Sequence, residues 1–187
     1  MKKRVFIAIN LPENIKNRIE KSLESLKCKF INDVRFISRD NWHITVTFLG
    51  WQGDESIYPI LKGMKETIKD FSRFKIEIDE ISYGPKNKPP RMIWLNCGKN
   101  TSKDLSALKD SLESKLMDKG LIFKQEHRQM KAHITLARFQ AADTNGLPDI
   151  KTNLNLNFEA ETMDLMESHL ARSGAKYEIM QRFPFHN

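Results

Sequence analysis

Apolar and polar positions along this chain alternate between two rhythms. Residues 4–11 are apolar on both faces of an extended segment, which predicts a central strand. Pro12 suits a helix start, and Ile15, Ile19, Leu23 and Leu26 then recur at helical spacing, predicting a helix over 13–27. A short strand is expected at 34–38. A β-branched, apolar run at 42–49 predicts the next strand, and 50–54 reads as a loop. Ile57, Leu61, Met64, Ile68 and Phe71 mark a second helix. Phe74, Ile76 and Ile78 alternate with Lys75, Glu77 and Asp79, the pattern of a strand with one wet face.

The segment 84–91, GPKNKPPR, predicts an exposed loop, after which the rhythm restarts. Residues 92–97 form an apolar strand. Thr101 or Ser102 can cap a helix with the stripe Leu105, Leu108, Leu112 and Leu116 and a stop at Gly120. A strand follows at 132–139, a polar loop at 141–153, and extended segments at 155–158, 161–168 and 176–183, the last two joined by a turn at Ser173-Gly174. Strand, helix, strand thus occurs twice. Asn10 lies 33 residues before His43, and Asn96 lies 37 before His133. The expectation is an α+β fold of two pseudo-duplicated lobes, roughly 1–84 and 91–187. Each lobe is a mainly antiparallel sheet with outer helices, and a cleft between them is faced by the two repeated strands.

Those repeated strands carry the chemistry. One reads His43-Ile44-Thr45-Val46, the other His133-Ile134-Thr135-Leu136. Residues i and i+2 share a face of a strand, so each His–Thr pair points one way. Ile44, Val46, Phe48, Ile134 and Leu136 should point the other way. A lone strand histidine is ordinarily structural, but a matched pair in equivalent positions is hard to ascribe to packing. Two imidazoles can give and take protons near neutral pH, and two hydroxyls can donate to phosphate oxygens between them. Arg138, an odd five positions after His133, reaches the same face only through a bulge or the strand end; otherwise it is an exposed cation.

Charge shifts the reading toward a polyanion. The chain has 187 residues and a net charge of +7 from 31 basic and 24 acidic residues. A basic surface favours nucleic acid, although it also serves plain solubility. Lys86, Lys88 and Arg91 in the Pro-rich loop lie near the junction of the halves, where they can flank the cleft. Cys28 and Cys97 form no CxxC pair and read as small buried hydrophobes. His127 six residues before His133 lacks acidic or Cys partners at ligand spacing, so no metal site is expected; His169 and His186 read as ordinary surface residues. The apolar run 5–9 is too short for a signal peptide, and no stretch suits a membrane helix, giving a cytoplasmic expectation.

The motifs resemble those of the 2H phosphoesterase superfamily, above all its LigT/ThpR-type RNA 2′,3′-cyclic phosphodiesterases. The residues are His43-Ile-Thr45-Val-Thr-Phe48-Leu49-Gly50 and His133-Ile-Thr135-Leu136-Ala-Arg138. The opening 4–12, the segment 90–95, and Glu167-Ser168, Gly174, Tyr177 and Phe183-Pro184 are similar too. Gln129-Met130-Lys131-Ala132 departs from relatives that carry a Pro beside the histidine. The resemblance implies a bilobal α+β fold and metal- and cofactor-independent hydrolysis of 2′,3′-cyclic phosphate ends to 2′-phosphomonoesters. His43 and His133 would be catalytic, with Thr45, Thr135 and Arg138 binding substrate. The role split we favour has His133 as base and His43 as acid, an assignment that near-symmetric halves do not fix. The resemblance also implies RNA such as tRNA halves as partner, 2′–5′ ligation in vitro, and a monomer. The alternatives are a phosphodiesterase of small nucleotides (2′–5′ oligoadenylate, ADP-ribose cyclic phosphate) and a silent RNA- or nucleotide-binding module.

Overall fold

The computed structural model describes residues 1–30, 34–86, 88–126, 129–140, 147–171 and 174–187. Among the described residues, nine strands form one antiparallel sheet: β1 Lys2–Asn10, β2 Arg35–Phe36, β3 His43–Gly53, β4 Phe74–Gly84, β5 Met92–Cys97, β6 His133–Arg138, β7 Thr152–Ala160, β8 Thr162–Ala171 and β9 Gly174–Pro184. The order is β7-β4-β5-β6-β3-β1-β8-β9, with β2 on β6. The two motif strands do not face each other across a gap. They are neighbours in the sheet, paired at Ile44 and Ile134, and β6 then turns its pairing to β2. That contact is the seam between β7-β4-β5-β6, which also carries β2, and β3-β1-β8-β9.

Among the described residues the α-helices are α1 Glu13–Lys27, α2 Asp54–Thr67 and α3 Lys99–Asp118. Ile15, Ile19, Leu23 and Leu26 of α1 are buried, as the helical spacing predicts, and the leucine stripe of α3 is fully buried. They share one core with Val5, Ile7, Ile9, Ile44, Ile76, Ile93, Leu95 and Ile134 from the strands. Each such side chain contributes about 1.5–3 kcal/mol of burial. All three helices therefore cover one face of the sheet. On the other face lies a small cluster of Phe6, Ala8 and Met166 with Tyr177 and Ile179. Among the described residues, no helix is long and apolar enough to cross a membrane.

β1 is central, as its two apolar faces predict. It pairs with β3 on one side and with β8 on the other. The half that carries the first motif is thus built from both ends of the sequence. In each half the helix-linked strands place an asparagine opposite the motif histidine: Asn10 against His43 and Asn96 against His133.

Three local expectations give way. Gly50 does not open a loop: β3 continues to Gly53 through a bulge in which Gly50 adopts φ +75°, a conformation glycine enters without strain. Thr101 and Ser102 do not cap α3, which begins at Lys99 after Gly98. Their hydroxyls instead accept backbone N–H bonds from Glu77 (2.8 Å) and Ala132 (3.2 Å), stitching the helix to β4 and to the entry of β6. Cys28 is exposed because it falls just past α1, whereas Cys97 is buried and its thiol is pushed up to about 12 by that burial. The stop at Gly120 holds. Its φ is +75°, its N–H donates to the Met117 carbonyl, and Leu121 N–H donates to that of Leu116, a Schellman arrangement. Ser173 of the expected turn and residues 141–146 of the expected polar loop lie outside the described residues.

A buried polar contact braces the first motif from behind. The Thr47 hydroxyl donates to Glu113 of α3 at 2.6 Å, and Glu113 also faces Lys109 at 3.7 Å. Thr47→Val should lower stability by about 1–3 kcal/mol, because it leaves a buried carboxylate short of a donor. Urea unfolding checks this; an unchanged midpoint would make the contact incidental.

Candidate active site

The five residues expected to form the site, His43, Thr45, His133, Thr135 and Arg138, all line one cavity of about 210 Å³. It lies over the seam, on the face opposite the helices. Arg4, Phe6, Ile37, Asn41, Phe48 and Tyr177 complete its lining.

Pleat alternation alone does not produce this set. Between Thr45 and Thr47 of β3 the partner strand advances only one residue, from Ala8 to Ile7, so Val46 is extra. Between Thr135 and Ala137 of β6 the partner advances only from Trp94 to Ile93, so Leu136 is extra. Each bulge shifts the phase of its strand by one. Phe48 thereby turns onto the site face, 41% exposed, and not onto the core face with Ile44 and Val46. Arg138 reaches the cavity by the same device. Phe48 and Arg138 thus occupy equivalent positions in the two halves, three residues after the motif threonine.

Each histidine is oriented by the backbone two residues earlier. His43 Nδ1 lies 2.8 Å from the Asn41 carbonyl, and His133 Nδ1 lies 2.7 Å from that of Lys131. A carbonyl oxygen only accepts, so Nδ1 carries the proton in both neutral rings and Nε2 is a bare lone pair. The Thr45 hydroxyl donates to His43 Nε2 at 3.0 Å. Asn41 also donates through its side chain to the Ala175 carbonyl (2.8 Å) and accepts from Tyr177 N–H (3.2 Å), which holds β9 against the site. Phe6 and Tyr177 contact the His43 ring at centroid distances of 4.9 and 5.1 Å. The His133 ring lies on Trp94 at 4.1 Å.

Burial among these rings holds the His43 imidazole down at about 4, with the charges of His133 and Arg138 acting in the same direction against the Asn41 bond. His133 is lowered too, first by burial and, against its Lys131 bond, by Arg138. Both imidazoles are therefore neutral at pH 7, ready to accept protons. An anion between them would raise both.

Among the described residues, no three His, Cys, Asp or Glu side chains gather as a metal site needs. His127 lies outside the described residues. Lys86, Lys88 and Arg91 do not line the cavity, although Arg91 directly precedes Met92, the register partner of Arg138. The contributions of Arg4, Phe6, Asn41, Phe48, Trp94 and Tyr177 are invisible to the alternation pattern. For Phe48 the missing signal is the bulge; for Tyr177 it is a pairing that spans most of the chain.

The His43 ring should titrate near pH 4, and His133 below the usual imidazole range of about 6.5. A folded-state affinity below the unfolded one means that protonation favours unfolding. Stability should therefore fall as pH drops from about 6.5 toward 4. Imidazole proton NMR titration checks this, and inorganic phosphate should move both resonances to higher pH. Two unshifted titrations would contradict the burial described.

The sequence matches the family described as the AKAP7 2'5' RNA ligase-like domain over residues 5–182. It is 30% identical to an RNA 2',3'-cyclic phosphodiesterase of Methanocaldococcus jannaschii, covering 96% of this chain and 99% of that protein. It is 26% identical to one of Bacillus subtilis, covering 95% and 94%. In three dimensions it is similar to E. coli LigT crystallised with 3'-AMP, at TM-score 0.76 and 24% identity over the whole of both chains. The same is true of the TT0787 protein of Thermus thermophilus, at TM-score 0.78 and 21% identity over 97% of each chain.

Proposed function

The chain belongs to the 2′–5′ RNA ligase-like family of LigT-type 2H phosphoesterases, and on that premise we propose that it hydrolyses RNA 2′,3′-cyclic phosphate ends to 2′-phosphomonoesters with its two histidines as acid and base. The observation that carries this reading is the pair of imidazoles, each held through Nδ1 by a backbone carbonyl with Nε2 left unprotonated, in one cavity with two threonines and an arginine.

The cyclic phosphate would sit between the rings, with its nonbridging oxygens on the Thr45 and Thr135 hydroxyls and Arg138. His133, the shallower imidazole, takes a proton from water as the water oxygen attacks phosphorus. The phosphorus–O3′ bond breaks and His43 gives its proton to O3′, leaving a 2′-phosphomonoester and a 3′-hydroxyl. A neutral pair lacks that second proton. The substrate's own negative charge raises both imidazoles so that the pair takes up one proton from solvent; the form with that proton on His43 is the minor, reacting one, and a proton held weakly there is readily given to the departing alkoxide. In 2′–5′ ligation the 5′-hydroxyl of a second RNA would take the place of water, attack the same phosphorus and expel the same O3′.

An RNA ending in a 2′,3′-cyclic phosphate should be opened in the presence of EDTA, with the 2′-phosphate as product by phosphorus NMR. His43→Ala and His133→Ala should each lose about 10²–10⁴-fold in kcat, and the double variant should be little worse than the worse single. An activated ester with a nitrophenol leaving group should restore the variant that lacks the acid and not the one that lacks the base. Full activity without either imidazole would end the mechanism.

The pH profile follows from the lowered imidazoles. For kcat/KM, which reports the free protein, the rate should already decline with rising pH below the usual imidazole range of about 6.5, because both imidazoles are lowered and the pair sheds its one proton early. For kcat the decline should come at higher pH, because bound phosphate raises both groups. Superimposed profiles would contradict this.

A further inference from the structure

Two large aromatic side chains are exposed along β3 on the site face: Phe48 at 41% and Trp51 at 61%. Phe48 lines the cavity. Trp51 is the register partner of Arg4, which also lines the cavity, and cross-strand partners share a face. The bulge at Leu49–Gly50 is what allows this, since an offset of three would otherwise put Phe48 and Trp51 on opposite faces. The Arg4 guanidinium lies over Phe48, 4.5 Å from the centre of that ring, and donates to the buried Ser168 hydroxyl at 2.9 Å. Lys2, two residues before Arg4 and exposed, extends the same row. The cavity is therefore continued by a strip of rings on β3 beside cations on β1 that runs away from His43.

This is the composition of a single-strand platform, in which bases stack on ring faces and cations follow the phosphates. Phe48 and Trp51 are about 7–10 Å apart along the strand, a reach suited to successive nucleotides of an extended chain. Resting on the phosphodiesterase reading, we propose that the nucleotide upstream of the reacting end stacks on Trp51, with Arg4 and Lys2 along its phosphates, so that the RNA leaves the site along β3 and not past the loop that carries Lys86 and Lys88.

The test compares adenosine 2′,3′-cyclic phosphate with a ten-residue RNA ending in the same group. Wild type should show the lower KM for the RNA. Trp51→Ala should raise the KM for the RNA by about 5–20-fold, the lower part of the range expected for one lost stack, and should change that for the mononucleotide less than about twofold. Trp51→Phe should keep most of the advantage. In parallel, RNA bearing a 2′-phosphate end should quench tryptophan emission in wild type and do so much less in Trp51→Phe. Equal losses on both substrates would make Trp51 structural and overturn the proposal. So would an RNA advantage that survives Trp51→Ala and disappears with Lys86→Ala and Lys88→Ala. If wild type cleaves neither substrate, the catalytic reading fails on its own, and the quenching titration still decides: emission unmoved by the RNA overturns the stacking claim.

Discussion

A pleated strand presents a given face only at every second residue, and it presents that face in one direction. A site made of His, Thr and a further group three positions on cannot be drawn from such a strand. The chain breaks the alternation at Val46 and again at Leu136, in the same place relative to each motif. Without these two extra residues Phe48 and Arg138 would point into the core, where a guanidinium could not stay without a partner. The Thr47–Glu113 bond lies directly behind the first bulge and ties it to α3, so the irregular backbone is held from the helix side. The bond lies on the helix face and holds the bulge from there, so packing on one face fixes the geometry of the other.

The electrostatics follow from the same arrangement. Rings from β1, β5 and β9 close around the two imidazoles and remove water from them, which weakens their hold on protons. Backbone carbonyls at the strand entries then decide which nitrogen is left bare. Neither effect needs a charged side chain to orient the histidine, and Arg138 adds a positive field that opposes protonation until an anion arrives. The site is thus poised by desolvation and tautomer, and its resting state is a neutral pair facing a cation.

Much of this is legible in the residues, and what is hidden has physical reasons. Helix α1 and strand β5 follow from local periodicity, which needs no distant partner. That the two His–Thr motifs meet in one site follows from their repetition and flanks, but their edge-to-edge pairing in one sheet does not, because repetition alone does not say how two strands are joined. Gly50 misleads because positive φ serves a turn and a bulge equally, and the sequence does not say which. Thr101 and Ser102 mislead because their hydroxyls satisfy N–H groups of other elements, a choice made by tertiary contact. Tyr177 and Asn41 meet through a register between β9 and the turn before β3, so no window of the sequence contains both. Arg138 depends on a bulge for its place on the site face, and the bulge is present.

The return of β8 to the side of β1 has a temporal meaning. Asn10 and Asp164, joined across these strands at 2.7 Å, are 154 positions apart. At about 5–20 residues per second, the first strand leaves the ribosome roughly 8–30 s before its second neighbour exists. During that interval a strand apolar on both sides has one open edge, a template for wrong pairing and a natural client for a chaperone. The cleft half with His43 is also unfinished then, since Tyr177 comes later still. A nascent chain would pass its synthesis beside ribosomal RNA with this half of the cleft still unbuilt.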